Sequence, residues 1–151
     1  MKSFPIARIF SLLIVIPVLL IALNGCSQVG NSGKPGELAM AAMDSMPAEV
    51  NDAPSVVRQA YQFAVANPDT LKHIPCYCGC DDIGHKSNYD CYVSNVDAAG
   101  KVTIDAHALG CSICVDITQD TMRMLREGKA IPEIQAAIDQ TYSQYGPPTL
   151  P

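Results

Sequence analysis

The chain has no tryptophan and only three phenylalanines among its 151 residues, which excludes a large aromatic core. Basic residues are also scarce, with ten Lys and Arg against 15 Asp and Glu and a net charge of −5. Because nucleic-acid phosphates are bound by basic faces, this balance argues against a nucleic-acid partner. No phosphate-cradling glycine loop, Ser/His/Asp order or carboxylate dyad is visible, so nucleotide binding and hydrolysis have no sequence support.

The sequence also lacks an apolar run long enough to cross a membrane, which takes about 20 residues. The longest such run, Ile9 to Ala22, is shorter and follows the basic residues Lys2 and Arg8. This order is typical of a secretory signal, so residues 1–25 are predicted to be a signal peptide. Its removal takes away two basic residues and leaves an even more acidic chain.

The apolar run ends in Leu23-Asn24-Gly25-Cys26, which resembles a bacterial lipobox. The resemblance implies that Cys26 becomes the lipidated first residue, with palmitate expected among its acyl chains. The alternative is an ordinary cleaved signal that leaves Cys26 as a free thiol. Because two or more acyl chains anchor a protein stably, we expect an extracytoplasmic lipoprotein held at a bacterial membrane.

Residues 26–52 are rich in Gly, Ser, Asn and Ala and are predicted to form a lipid-anchored flexible tether. Met40, Met43 and Met46 recur within it at a spacing of three. Thioethers are soft Cu(I) ligands, so one hypothesis is a metal-loading arm. The other is a linker that happens to contain methionine, and we favour it because three methionines are thin evidence.

Three stretches after the tether have helical periodicity. The first opens at Pro54 and ends at Asn67, the second runs from Ser112 to Glu127, and the third begins at Pro132. In the second, Met124 falls on the apolar stripe and Met122 on a different, freer face. Val102 to Ile104 could form one short strand. The prediction is a mainly α, three-to-four-helix domain over residues 53–148, built around an irregular cysteine-rich metal-binding loop.

Seven cysteines are many for a chain of this length, and six follow the lipobox. Three alternate within five residues, one stands alone and two form a Cys-x-x-Cys pair. All three histidines of the chain lie beside these groups. The candidate metal ligands are therefore Cys76, Cys78, Cys80, Cys91, Cys111, Cys114, His73, His85 and His107.

Structural disulfides are one interpretation, because an exported protein meets an oxidising compartment. The alternating spacing of Cys76, Cys78 and Cys80 opposes it, since neighbours two apart rarely reach disulfide geometry without strain. Zinc is the second interpretation, because structural zinc takes four Cys or His ligands. Cys111 and Cys114 would form one of the usual two-residue knuckles, but the triplet does not form the other, and six thiols overfill one zinc site.

Cu(I) is the third interpretation. It accepts two or three thiolates and allows one sulfur to bridge two metals, so alternating cysteines on a tight loop suit a site with more than one copper. Cys111 and Cys114 stand at a helix start, where we expect lowered thiol pKa values. Asp105 or Asp116 would orient a ligand histidine by hydrogen bonding, and Tyr77, Tyr89 and Tyr92 would cover the site.

The nine candidate metal ligands fall in four stretches: His73-Ile-Pro-Cys-Tyr-Cys-Gly-Cys80, Gly84-His85, Cys91 and Asp105-Ala-His-Ala-Leu-Gly-Cys-Ser-Ile-Cys-Val-Asp116. Over roughly residues 53–145 they resemble the bacterial proteins with a Pro-Cys-Tyr-Cys-Gly-Cys motif, most of them expected to be exported lipoproteins of unknown function. The resemblance implies extracytoplasmic placement and a role with soft metals, and it indicates a family more clearly than an activity.

The sequence thus predicts a membrane-anchored lipoprotein that binds soft metal, above all Cu(I), with zinc as the alternative. Copper storage, detoxification or delivery to another exported copper protein would be its role. A second hypothesis is a structural lipoprotein held by disulfides or zinc. A third is a thiol–disulfide oxidoreductase using Cys111 and Cys114, but such motifs normally sit on a βαβ unit, which this sequence lacks. We therefore expect a protein that is not an enzyme.

Overall fold

A computed structural model describes residues 36–150 of the chain. The fold is mainly α, with three long helices, two four-residue helices and one small sheet. The α-helices are α1 (Ala48–Asn51), α2 (Ser55–Ala66), α3 (Pro68–Leu71), α4 (Ser112–Arg126) and α5 (Ile131–Tyr142). The predicted count of three to four helices therefore matches the long elements and misses two short ones. The predicted signal peptide and Cys26 lie outside the described residues.

Helix α2 begins and ends where the sequence signals placed its limits. Pro54 is the N-cap residue, and Asn67 caps the C-terminal end because its backbone amide binds the Phe63 carbonyl. Ala60, Tyr61 and Ala64 are fully buried, as their helical spacing predicts. Together they place α2 against α4.

Helix α4 lies between α2 and α5 and contacts both. Gly128 follows its end with a φ of +78°, and the Lys129 amide binds the Met124 carbonyl, as in a Schellman cap. Met124 is buried as predicted. Met122, expected on a freer face, is only 1% exposed. The expectation was wrong because a helix with neighbours on two sides buries more than one stripe.

Helix α5 buries Ile134, Ile138 and Tyr142 against the core. Tyr145 lies beyond the helix and is 57% exposed. The Tyr142 hydroxyl donates a hydrogen bond to Asp120 Oδ2 at 2.8 Å. This bond links α5 to α4.

The sheet is an antiparallel hairpin of β1 (Val93–Val96) and β2 (Val102–Ile104). The sequence predicted β2 with its limits but not its partner. Asp97 closes the turn, because its Oδ1 accepts hydrogen bonds from the amides of Ala99 and Lys101. The partner strand was missed because three of its four residues are exposed and lack a buried face.

The stretch before α2 packs on the domain, although the sequence predicted a flexible tether through residue 52. The Ala41 amide binds the Gln62 carbonyl at 2.9 Å, and Asn67 Nδ2 binds the Ala39 carbonyl at 2.8 Å. Met46 is 6% exposed and Val50 is fully buried. The packed unit therefore begins well before residue 53. Within residues 36–150, no helix has the length and apolar character that crossing a membrane requires.

Candidate metal centre

The hexapeptide from Pro75 to Cys80 brings three sulfurs together. The Sγ atoms of Cys76, Cys78 and Cys80 all lie within 4.8 Å of one another. Gly79 has a φ of +78°, a left-handed conformation that favours glycine. A Cβ at Gly79 would meet no other part of the chain within 4 Å, so backbone conformation rather than crowding requires the glycine. This turn lets side chains two positions apart converge on one point.

The C-terminal segment holds this loop in place. The Cys76 amide donates to Thr149 Oγ1 at 2.9 Å, and the Thr149 amide donates to the Cys76 carbonyl at 3.0 Å. The Tyr77 hydroxyl donates a hydrogen bond to the Asp139 carboxylate on α5. A Cβ on Gly146 would lie 3.0 Å from the Tyr77 carbonyl oxygen, closer than side chains usually pack, so the close approach of the two segments favours glycine here. The predicted domain limit at residue 148 therefore left out one residue that fixes the loop, Thr149.

Cys91 comes from a short 3-10 helix, Asn88–Cys91, that follows the loop. The Asp90 carboxylate orders its start by accepting hydrogen bonds from the backbone amides of Lys86 and Ser87. Cys91 Sγ lies 3.7 Å from Cys80 Sγ and 3.3 Å from Cys114 Sγ. Cys91 thus links the hexapeptide loop to α4.

Cys114 is the most connected sulfur. It lies in the first turn of α4 and is fully buried. Its Sγ is 3.3 Å from Cys91, 3.4 Å from Cys76 and 3.5 Å from Cys78. Cys111, the N-cap residue of α4, is half-buried. It lies with Cys114, Cys78 and His107 in one group of possible metal ligands. The helix start therefore supplies one central and one peripheral sulfur.

A buried polar network lies beneath Cys114. The Cys114 carbonyl accepts hydrogen bonds from Asn88 Nδ2 at 3.2 Å and from the Tyr92 hydroxyl at 2.9 Å. Thr118 Oγ1 lies 2.6 Å from Asn88 Oδ1 and 2.7 Å from the Tyr92 hydroxyl. All three side chains are fully buried. They fix the first turn of α4, and with it the position of Cys114.

His107 is the histidine that meets the sulfurs. Its Nε2 lies 3.5 Å from Cys78 Sγ. Asp105 Oδ1 accepts a hydrogen bond from the His107 backbone amide at 2.8 Å, and Tyr61 donates to the Asp105 carbonyl at 2.8 Å. Asp105 therefore positions His107 through the backbone rather than through the imidazole ring.

The other two histidines lie apart from the sulfurs. His85 is buried and stacks edge-to-face on His107, with ring centroids 5.2 Å apart. Its Nε2 is 3.7 Å from Asp105 Oδ2, and its Nδ1 has no hydrogen-bond partner among the described residues. His73 is exposed, and its carbonyl accepts a hydrogen bond from Gln135. Asp116, the other predicted orienting carboxylate, is exposed on α4.

Hydrogen bonds among the thiols lower the pKa of some cysteines of the centre and raise the pKa of others. Hydrogen bonds from Cys114 lower the pKa of Cys76 and Cys80, and those from the Cys114 thiol and amide lower the pKa of Cys111 to about 5. The pKa of Cys114 itself is raised, first by its hydrogen bond with Cys111 and then by those with Cys76, Cys80 and Cys91. The sequence expectation of a low pKa thus holds for Cys111 and was wrong for Cys114.

The described sulfurs and one imidazole form overlapping groups that could hold metal. All six cysteines of residues 36–150 are free of disulfide bonds. Sulfurs bound to one tetrahedral ion at about 2.3 Å lie roughly 3.8 Å apart, close to the separations found here. The groups are Cys76/Cys78/Cys80, Cys76/Cys91/Cys114, Cys80/Cys91/His107 and Cys78/His107/Cys111/Cys114.

The structure therefore brings seven of the nine predicted ligands into one centre, while His85 and His73 stand outside every group. Three supporting residues had no clear sequence signal: Asn88, Thr118 and Thr149. Each acts through contacts with residues far away in the chain, which spacing does not reveal. The three predicted covering tyrosines, Tyr77, Tyr89 and Tyr92, are all buried around the centre.

Comparison with known proteins adds a family. A family model described as "Protein of unknown function with PCYCGC motif" matches residues 15–151, most of the chain. No curated protein and no solved structure matches the chain.

Proposed function

We propose that this chain, which belongs to the PCYCGC-motif family, is an exported lipoprotein that binds Cu(I) through its six clustered cysteines. Storage, detoxification or delivery of copper to another exported copper protein would follow from such a site. The proposal does not involve catalysis. The metal–sulfur bonds would hold the copper, and the fold would hold the sulfurs in position.

The sharing of sulfurs between groups is the observation that carries the proposal. Each of Cys76, Cys78, Cys80, Cys91 and Cys114 belongs to two of the overlapping groups. A sulfur within reach of two sites can bridge two metals, and thiolates are the soft ligands that Cu(I) prefers. Because three of the four groups have three ligands, the arrangement favours several three-coordinate coppers.

Zinc is the second candidate, and one group supports it. Cys78, His107, Cys111 and Cys114 form a Cys3His set, a common composition for structural zinc. The set leaves three thiols without a metal, two of them fully buried, namely Cys76 and Cys91. A single zinc therefore accounts for less of the centre than copper does.

The sequence supports the cellular setting of this proposal. The lipobox-like Cys26 would anchor the protein to a bacterial membrane, and residues 36–150 contain no membrane-spanning helix of their own. In an oxidising compartment, bound metal would keep the six thiols reduced. Protection of the thiols and binding of the metal would thus be the same event.

Metal content and thiol count test the proposal together. Protein exported by its bacterial host should be purified without oxygen, its metals measured by elemental analysis, and the metal-free form titrated with Cu(I). We expect more than one copper per chain and six reactive thiols after metal removal. One tightly held zinc would support the second candidate, and six disulfide-bonded cysteines with no metal would overturn both.

Replacement of the central sulfur gives a second test. We expect Cys114→Ser to lower the copper stoichiometry, because it removes a sulfur from two groups at once. Asp116→Asn, on the exposed face of the same helix, is the matched control and should bind copper as the unmodified protein does. Unchanged stoichiometry in Cys114→Ser, with the helices intact by circular dichroism, would contradict a shared sulfur at this position.

A further inference from the structure

Two of the ligand groups differ in their distance from the surface. Cys76, Cys91 and Cys114 form a triad whose residues are each 0% exposed. The outer group consists of Cys78, His107 and Cys111, all partly exposed, together with the same Cys114. The centre therefore has a buried triad and an outer group that meet at one sulfur.

Cys114 Sγ is placed to serve both groups. It lies 3.5 Å from Cys78 on the outer side, and 3.4 Å and 3.3 Å from Cys76 and Cys91 on the inner side. A thiolate at such distances can bind a metal in either group without movement of the backbone. The hydrogen bonds from Asn88 and Tyr92 to the Cys114 carbonyl hold the backbone in this position.

A surface cavity of about 300 Å³ reaches the outer group at Cys111. Val57, Leu109 and Val115 contribute apolar side chains to its wall. The cavity has room for a ligand side chain of another molecule beside Cys111. Cys76, Cys91 and Cys114 do not line this cavity.

We infer that Cu(I) enters and leaves the protein through the outer group, and that the buried triad holds copper that exchanges slowly through Cys114. The inference rests on the proposed Cu(I) binding and adds the route by which the copper enters and leaves. The exchange partner is a molecule that offers a free thiolate, such as an exported copper protein with an exposed cysteine.

Release is a ligand exchange without electron transfer. The incoming thiolate forms a Cu–S bond in the cavity, and the bond between copper and Cys111 Sγ breaks. One thiolate replaces another, so the charge on the complex and the Cu(I) oxidation state are unchanged. Successive exchange of the bonds to Cys78, Cys114 and His107 would then free the copper from the protein.

The rate of copper release tests the inference. The full-length protein, lipidated and held in detergent micelles, is loaded with Cu(I) without oxygen. It is then mixed with excess bicinchoninate, a chelator that absorbs visible light when it binds Cu(I). We expect a fast and a slow phase. In Cys111→Ser most of the copper in the fast phase should be lost, because the outer group loses one of its ligands. Cys111 is the N-cap residue of α4, and serine is a preferred N-cap residue, so the helix should remain.

Two further variants serve for comparison. Ser112→Ala, next to Cys111 on the wall of the same cavity but without a sulfur, should release copper as the unmodified protein does. Cys91→Ser removes a ligand of the buried triad and should reduce the amount of copper in the slow phase. Release in a single phase, or an unchanged fast phase in Cys111→Ser, would overturn the inference while leaving Cu(I) binding intact. Absence of any bound copper would overturn the proposed function instead.

Alkylation of the reduced, metal-free protein gives a readout that does not depend on copper. With limiting iodoacetamide and peptide mass spectrometry, Cys78 and Cys111 should be modified before the four buried cysteines. Equal or earlier modification of Cys76 or Cys91 would show that the buried triad is open to solvent, and would also overturn the inference.

Discussion

At the scale of single residues, the centre depends on buried polar groups as much as on its ligands. Thr118 has contacts with Asn88, Tyr92 and the Cys114 carbonyl, all in the interior. A buried polar group without its partner costs more than the hydrogen bond itself contributes. These side chains therefore determine how firmly Cys114 is held, although none of them is a ligand.

Thr118→Val tests this network. The change keeps the shape of the side chain but removes the hydroxyl that meets Asn88 Oδ1, so we expect a loss of about 1–3 kcal/mol in unfolding free energy by urea denaturation. Thr121→Val is the control, because the Thr121 hydroxyl is equally buried but bonds only the Ile117 carbonyl of its own helix. Equal losses in the two variants would argue against a special role of the network.

At the scale of elements, the hexapeptide turn and the start of α4 shape the centre. Gly79 and Gly100 both have positive φ, and at both positions a Cβ would point into open space. One lies between two ligands and the other in the exposed turn between β1 and β2. The two positions thus share a backbone requirement and differ only in their relation to the sulfurs.

Gly79→Ala and Gly100→Ala form a matched pair. In both, a left-handed alanine should cost about 1–2 kcal/mol of stability. Only Gly79→Ala should also weaken metal binding in competition with a chelator, because relaxation of this turn separates Cys78 from Cys80. Similar metal affinities in the two variants would show that the geometry of the turn does not control the site.

At the scale of the whole molecule, the segment before α2 and the tail after α5 close the domain around the centre. The Gln62 side chain and backbone both bind Ala41, and Thr149 binds Cys76 through both its hydroxyl and its amide. Both segments therefore belong to the folded unit. The small core has no tryptophan, so such contributions form a larger share of its stability.

Val50→Ala measures how much the segment before α2 contributes to the stability of the domain. Val50 is fully buried, and burial of such a side chain contributes about 1.5–3 kcal/mol. Its truncation to alanine should therefore lower the unfolding free energy by a large part of that amount. Val56→Ala, at a position that is 43% exposed on α2, should have a smaller effect. If residues 39–50 were a free tether, Val50→Ala would leave the stability unchanged.

The sequence by itself determined what depends on neighbouring residues. Pro54 and Asn67 placed the limits of α2, Gly128 placed the end of α4, and the Pro75–Cys80 motif identified the family. These signals are local, because helix caps, proline and glycine act within a few residues along the chain.

Only the tertiary structure decided which sulfurs meet and what holds them. Cys76 and Cys114 are 38 residues apart, and no spacing rule links them. The burial of Met122, the strand β1 and the packed segment before α2 likewise depend on distant neighbours. Side-chain spacing describes one element at a time, whereas the division into a buried triad and an outer group exists only once the helices, the loop and the tail are packed together.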